Sequence, residues 1–508
     1  MLPASVGGSI SLETDNRGER SERAARRCFR GRLAFLGPKL GAWGPTQSCS
    51  AAPNCAISEA QPRKGAGRGT AYRPGNSLRN VRFVLNANQE TGAVGPAEAP
   101  HRRLSNWGGL GGAYDTKVYP AKSLCSHCGL CDTRYITYVR DSCAFLNQHI
   151  AELEQKVHGR SRALDSEDEL YFGVFQSMLV ARKKKPIAGA QWTGIVSSLA
   201  IAMLESGLVE GVVCVQSSKD DRFKPVPVIA RNRAEILAAR VNKPTLSPNL
   251  SVLDAVERSG IKRLLFIGVG CQVEALRSVQ DRIGLEKLYV LGTPCVDNVT
   301  RAGLQKFLDT TSSSPETVVY YEFMQDFRVH FKHDDSVIGG PGRKWDEIVP
   351  FFALNTKELK EVFAPSCLSC FDYVNGLADL VVGYMGAPFG WQWLVARNET
   401  GLEMLELARQ VCGLEEGPVD ACGDRRAAVQ QSITAYDRAL TLPRWIAEFL
   451  AIIIGKIGPK GLEYARFSID SHFTRNYLYV RRRYPEKLDA HVPEYAKRIV
   501  SQYKLPDT

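Results

Sequence analysis

The sequence predicts an α/β protein with a mainly parallel or mixed sheet and flanking helices. Three observations carry that prediction. Four short apolar runs, Val209–Gln216, Arg263–Gly270, Lys287–Thr293 and Asp379–Met385, have the length and residue types of buried strands. Helical patterns lie between them. Thr193–Glu205 repeats apolar residues at helical spacing and stops at Gly207, and Ser251–Arg258 follows a Ser-Pro-Asn start and stops at Gly260. Strands that alternate with helices build a layer whose strands run largely parallel.

Beyond this layer the pattern changes. Val318–His333 alternates polar and apolar residues, as a half-exposed strand does. Ile338–Glu347, with Gly339, Gly340, Pro341 and Gly342, reads as a long turn before Val349–Leu354 returns. Residues 425–508 read as a helical region rich in Tyr and Arg. Its apolar run Trp445–Ile457 is broken by Glu448, Gly455 and Lys456 and falls short of the roughly 18–20 residues of a membrane span. It reads as a buried or partner-facing helix, with a membrane-surface helix as the alternative.

The chain has 508 residues, 44% hydrophobic and 23% charged, which is a soluble globular composition with room for several domains. Its net charge of +11 is concentrated at the start: residues 1–110 carry +9. A folded basic face is therefore not indicated, and nucleic acid is not an expected partner. Residues 1–118 are rich in Arg, Ser, Gly, Ala and Pro without sustained periodicity, although Glu13, Asp15, Glu19 and Glu22 are acidic. They read as a disordered organelle-import leader, or as a gene start set too far upstream. The expected organisation is a leader at 1–118, a segment at 119–175, an α/β core at 176–424 and a helical region at 425–508.

Eight of the fourteen cysteines carry a pattern. Cys125, Cys128 and Cys131 form C-x-x-C-x-x-C, a spacing that lets three thiolates converge on one iron–sulfur cluster, with Cys143 the nearest fourth. Zinc is the rival metal. Cys271 and Cys295 each follow an expected strand, and Cys367 and Cys370 form a C-x-x-C. Each of the first two alone reads equally as a small core residue. The four together point to a second site at the carboxyl ends of strands, where α/β sheets bind ligands. Nothing indicates secretion, so disulfides are not expected. Cys28, Cys49 and Cys55 fall in the leader, Cys214 in a strand, and Cys412 and Cys422 in an expected loop.

Several longer motifs accompany the cysteines: C-S-x-C-G-L-C, Tyr171-Phe-Gly-Val174, Gly189-Ala-Gln-Trp-Thr-Gly194, Lys243-Pro-Thr-Leu-Ser-Pro-Asn249, Gly268-Val-Gly-Cys-Gln272 and Cys367-x-x-Cys370-Phe-Asp. Over about Lys122–Pro506 the chain resembles the family of the beta subunit of deazaflavin-reducing (coenzyme F420) hydrogenases, and within it the chlorophyll-biosynthesis branch of oxygenic phototrophs. Gly383–Trp393 and Tyr464–Arg475 are similar to the cyanobacterial-type vinyl reductases. The Gly-rich stretch Ile338–Glu347 departs from that pattern and is expected to be a surface loop.

The resemblance implies a plastid-stroma enzyme that reduces the 8-vinyl group of a divinyl (proto)chlorophyllide with electrons from ferredoxin. It implies FAD and two 4Fe–4S clusters as cofactors. Reduction of 7-hydroxymethyl chlorophyll a is the alternative, and a cluster-bearing electron-transfer subunit is a third reading. A homo-oligomer is left open. Gln191, Trp192, Thr193 and Gly194 open a helix whose amides would face flavin phosphate, and Lys243, Thr245, Ser247 and Asn249 offer further polar contacts. A capped helix and a plain turn are the bland alternatives. Tyr384, Phe389, Trp391 and Trp393 are candidate walls for a flat tetrapyrrole, or else core aromatics. His158, Asp297 and Asp372 are candidate proton donors.

Overall fold

The computed structural model describes residues 119–438 and 441–506. The expected leader, with Cys28, Cys49 and Cys55, lies outside the described residues. The strands are β1 (Ser177–Lys183), β2 (Gly211–Ser217), β3 (Pro225–Ala230), β4 (Arg263–Gly268), β5 (Lys287–Gly292), β6 (Val318–Phe323), β7 (Arg328–Asp334), β8 (Lys344–Pro350), β9 (Leu380–Gly383), β10 (Gln392–Ala396) and β11 (Leu414–Gly417). The longer helices are α1 (Ile150–His158), α2 (Ile195–Glu205), α3 (Gly270–Val279), α4 (Arg301–Thr311), α5 (Glu399–Cys412), α6 (Arg425–Arg438), α7 (Arg444–Ile457) and α8 (Leu462–Arg483).

Eight strands form one mixed sheet in the order β11-β1-β10-β9-β5-β4-β2-β3. Its centre is parallel, with β2 beside β4, β4 beside β5 and β5 beside β9. Antiparallel strands complete both sides. The two-residue period of a strand sends alternate side chains to opposite faces. Leu264 and Phe266 of β4 join one core, with Val213, Val290 and Val381, while Leu265 joins the other, with Val212, Leu291 and Val382. Helices α3 and α8 cover the first face through Val273, Leu276, Ile469 and Phe473. Helices α2 and α5 cover the second through Ile195, Leu199, Met404 and Leu405. Burial on both faces explains why these strands read as continuous apolar runs.

The expected α/β class is therefore observed, with a helical C-terminal region. Several details differ. Val318–His333 is two strands, β6 and β7, because the chain reverses at Met324–Phe327, where Phe327 takes a left-handed φ of 60°. These pair with β8 into a separate antiparallel sheet, and β8 begins at Lys344, inside the expected turn. Strands β1, β3, β10 and β11 were not expected. Cys412 closes α5 as a buried residue, not a loop. Helix α7 is not a buried helix: it turns Ala447 and Ala451 inward and exposes Trp445, Phe449, Ile452 and Ile457. Among the described residues no helix is long and apolar enough to cross a membrane.

Candidate functional site

Strands β4, β5 and β9 run parallel, so their carboxyl ends share one edge of the sheet. Cys271 follows β4, Cys295 follows β5 and Tyr384 follows β9. Strand β1 is antiparallel to β10, which is antiparallel to β9, so β1 ends at the same edge and delivers Gln191–Gly194 there. The edge is the expected place for a ligand in such a sheet.

The first cysteine group lies in short turns before the sheet. Left-handed residues bend it: His127 has φ 50° and Gly129 φ 92°. Gly129 cannot be anything larger, because a Cβ there would stand 2.6 Å from the Ser251 amide nitrogen and 2.7 Å from the Pro248 carbonyl oxygen. The Leu250 N–H donates to the Cys128 carbonyl at 2.9 Å, docking the motif on the segment that precedes β4. Cys128 interacts electrostatically with Cys125, Cys131 and Cys143. His127 meets the edge of Tyr119 at 5.3 Å.

The second group brings Cys271, Cys295, Cys367 and Cys370 within electrostatic reach of one another. The Asn298 amide donates to Cys367 Sγ at 3.3 Å and its side chain to Cys295 Sγ at 3.7 Å. Cys271 also feels Cys128, so the groups are neighbours. Cys125, Cys143, Cys271 and Cys370 all pack on one small apolar cluster of Ala121, Leu124, Ala144 and Phe145.

All eight are free thiols. Burial pushes Cys143 up to about 11 and Cys367 up to about 12, and holds Cys271, Cys295 and Cys370 well above the usual thiol range. Neighbouring thiols add to the rise. Thiolates gathered in such places need a cationic centre to stabilise them. Two sets of four sulfurs match the ligand count of two 4Fe–4S clusters. Among the described residues no three His, Cys, Asp or Glu close on a point fit for a single ion.

The candidate flavin contacts fare unequally. Lys243 Nζ donates to the carbonyls of Val215, Ala239, Arg240 and Val241, which occupies all three ammonium hydrogens. Burial lowers its pKa to about 8. Thr245 donates to the Phe223 carbonyl, Ser247 to Asn249 Oδ1, and Asn249 to the Ile267 carbonyl. These side chains are all engaged within the protein, with acceptors that include Val215 of β2, Phe223 and Ile267 of β4. Gln191 bonds Glu322 at 3.1 Å, and the Thr193 hydroxyl accepts from the Lys183 amide at 3.1 Å. Gly194, at φ 80°, caps α2 without a side-chain bond, so the first amides of α2 keep their donor capacity.

Trp192 stacks on Tyr384 with ring centroids 5.1 Å apart and 12° between planes. Trp391 lies under the Arg182 guanidinium, 4.5 Å from its ring centroid. Phe389 is 59% exposed. Trp393 corrects the expectation: it is 0% exposed, turned from β10 into the core, and presents no face to a ligand.

Of the acid–base candidates, His158 stands apart. Its ring is held between the Gly376 carbonyl and Asn398, which bonds Asp379 just before β9. Burial pushes its pKa down to about 4. Asp297 is doubly bonded to Arg475, at 2.8 Å each way. Asp372 accepts from the Gly376 amide through Oδ1 while Oδ2 has no partner. Burial raises both carboxyls, and both lie beside the second cysteine group.

Glu274 carries no signal in the sequence. It is fully enclosed beside Cys370 and pushed up to about 8 by burial. His472 and Asn476 of α8 were also missed. The signal available was a helix carrying Asp470, His472, Thr474 and Asn476 on alternate positions, polar residues too frequent for a plain core helix.

The chain is similar to several known proteins. Residues 178–254 match the profile for the amino-terminal region of the coenzyme F420 hydrogenase/dehydrogenase beta subunit, and residues 261–421 match the profile for its carboxyl-terminal region. An uncharacterised protein of Nostoc sp. is 70% identical over 388 residues, covering 76% of this chain and 95% of that protein. The 7-hydroxymethyl chlorophyll a reductase of Oryza sativa is 52% identical over 405 residues, covering 76% of this chain and 84% of that protein. A chain of the F420-reducing NiFe hydrogenase complex from Methanosarcina barkeri aligns with a TM-score of 0.46 and 23% identity, over 64% of this chain and 97% of that one.

Proposed function

This chain belongs to the coenzyme F420 hydrogenase/dehydrogenase beta subunit family, and from that premise we propose that it reduces the 8-vinyl group of a divinyl (proto)chlorophyllide with electrons from reduced ferredoxin. The carrying observation is the pair of adjacent four-thiol groups, the second at the strand ends beside Gln191–Gly194 and Tyr384. Such a pair suits one-electron transfer from a surface partner to a buried acceptor.

Cys125, Cys128, Cys131 and Cys143 would hold one 4Fe–4S cluster, and Cys271, Cys295, Cys367 and Cys370 the other. The uncapped start of α2 would face the phosphates of FAD. When bound, the clusters carry single electrons and the flavin collects two for hydride delivery. Trp192, Tyr384 and Trp391 supply flat faces for a conjugated ring at the same edge. Of the three acid–base candidates, Asp372 alone keeps a carboxyl oxygen free to hold a proton, at Oδ2.

A tetrapyrrole substrate is supported by the 52% identity to the rice reductase. The vinyl reading is supported by the short Gly390–Trp393 segment. The rice relative itself favours the second reading, reduction of 7-hydroxymethyl chlorophyll a. A plastid-stroma location is supported by the chloroplastic rice relative.

Anaerobic turnover with reduced ferredoxin decides between them. Divinyl chlorophyllide should be converted and 7-hydroxymethyl chlorophyll a left largely unchanged. The reverse preference would overturn the vinyl reading and leave the cofactor reading intact.

A further inference from the structure

Helix α8 reaches the second cysteine group through two consecutive residues that the functional reading leaves unused. Asn476 is 0% exposed. Its amide nitrogen donates to the Cys367 carbonyl at 2.8 Å and to the Cys370 carbonyl at 2.6 Å, so one side chain pins both ends of the C-x-x-C turn. The same nitrogen lies 3.3 Å from His472 Nε2. Its oxygen accepts from Arg475 Nε at 3.1 Å and Nη2 at 2.9 Å. That fixes which way the amide points: turned over, its oxygen would face two carbonyls and its NH₂ a guanidinium, and neither pair can bond. Arg475 in turn grips both oxygens of Asp297, two residues past Cys295. Asn298, the next residue, donates to Cys367 Sγ.

We propose that Asn476, oriented by Arg475, is the positioning residue that sets Cys295, Cys367 and Cys370 in the arrangement a cluster requires. The proposal rests on the reading that this group holds an iron–sulfur cluster. Outer hydrogen bonds of this kind fix ligand geometry, and their loss lowers metal affinity by about 10–100-fold.

The test compares full-length wild type, Asn476→Leu and Thr474→Val, each purified anaerobically. Leu is close to Asn in shape but offers no donor. Thr474 is also fully buried on α8, and its hydroxyl makes no hydrogen bond, so its variant controls for altering this helix. The readouts are iron and sulfide per chain, the paramagnetic spectrum of the reduced protein, and the rate of iron loss to a chelator. Wild type and Thr474→Val should hold about eight irons in two centres. Asn476→Leu should fall to about four, or lose one centre to chelator about 10–100-fold faster, with the other centre unchanged. An Asn476→Leu protein with wild-type iron, spectrum and loss rate overturns the proposal. If that variant does not fold, Arg475→Lys is read the same way: faster loss of one centre supports the proposal, and wild-type behaviour overturns it. A wild type without iron or sulfide overturns the cofactor reading itself.

Discussion

The two cysteine groups are assembled by opposite routes. Cys125, Cys128, Cys131 and Cys143 span 19 consecutive residues and are bent together by left-handed backbone at His127 and Gly129. Cys271, Cys295 and the Cys367–Cys370 pair come from three separate segments, brought together by parallel strands and held by α8. The first is a local construction docked on the body through Leu250. The second exists only where the sheet, the helix and the loop at 367–370 are already assembled. A local site should tolerate loss without disturbing the fold. A site made by the fold should report on it.

The largest expected effect comes from emptying each group in turn. Cys131→Ala and Cys295→Ala should each lower vinyl reduction by at least roughly 100-fold, since outer hydrogen bonds alone cost about 10–100-fold and these remove a ligand. Iron analysis should show one cluster lost in each. Thermal unfolding should fall further for Cys295→Ala. Equal losses of thermal stability would erase the contrast between the groups.

Glycine variants sharpen the contrast. Gly129→Ala puts a methyl against backbone at left-handed φ, and should cost about 1–3 kcal/mol and disturb the first centre alone. Gly270→Ala would press a Cβ to 2.4 Å from Asp372 Oδ2, and should cost a similar amount while perturbing the second centre. Urea unfolding and the spectrum of the reduced protein check both. A change at the second centre from Gly129→Ala would show that the groups are mechanically coupled.

The tryptophans divide along the same line. Trp393→Ala opens a core cavity and should cost about 3–5 kcal/mol by urea unfolding. Trp391→Ala should leave the fold and the clusters intact and lower vinyl reduction. Full activity in Trp391→Ala would remove that ring from the substrate wall. The smallest effect is expected from deleting residues 1–118. Cluster content and turnover should stay within error, and failure to fold would show that the segment is more than a leader.

The C-x-x-C-x-x-C motif was legible because its geometry is written in spacing. The strand-end positions of Cys271 and Cys295 were legible because buried parallel strands leave continuous apolar runs. Strands β1 and β10 lacked that signal: β1 ends in Arg182 and Lys183, and β10 is short and starts with Gln392. Lys243 looked like a ligand contact, but its burial among four carbonyls depends on where β2 and the turn after residue 238 lie. Trp391 and Trp393 are two residues apart on one chain, and sequence gives no reason to separate them. Trp393 enters the core opposite Gly383, while Trp391 stops at the rim under Arg182.

By itself, then, the sequence determined the fold class, the first cysteine motif and the candidate membership of the second, because periodicity and short spacing are local properties of a chain. Tertiary structure alone decided that Cys271, Cys295, Cys367 and Cys370 meet, and that Asn476 joins them. Contacts between residues far apart in the chain depend on strand order and helix packing, and neither is encoded in any one segment.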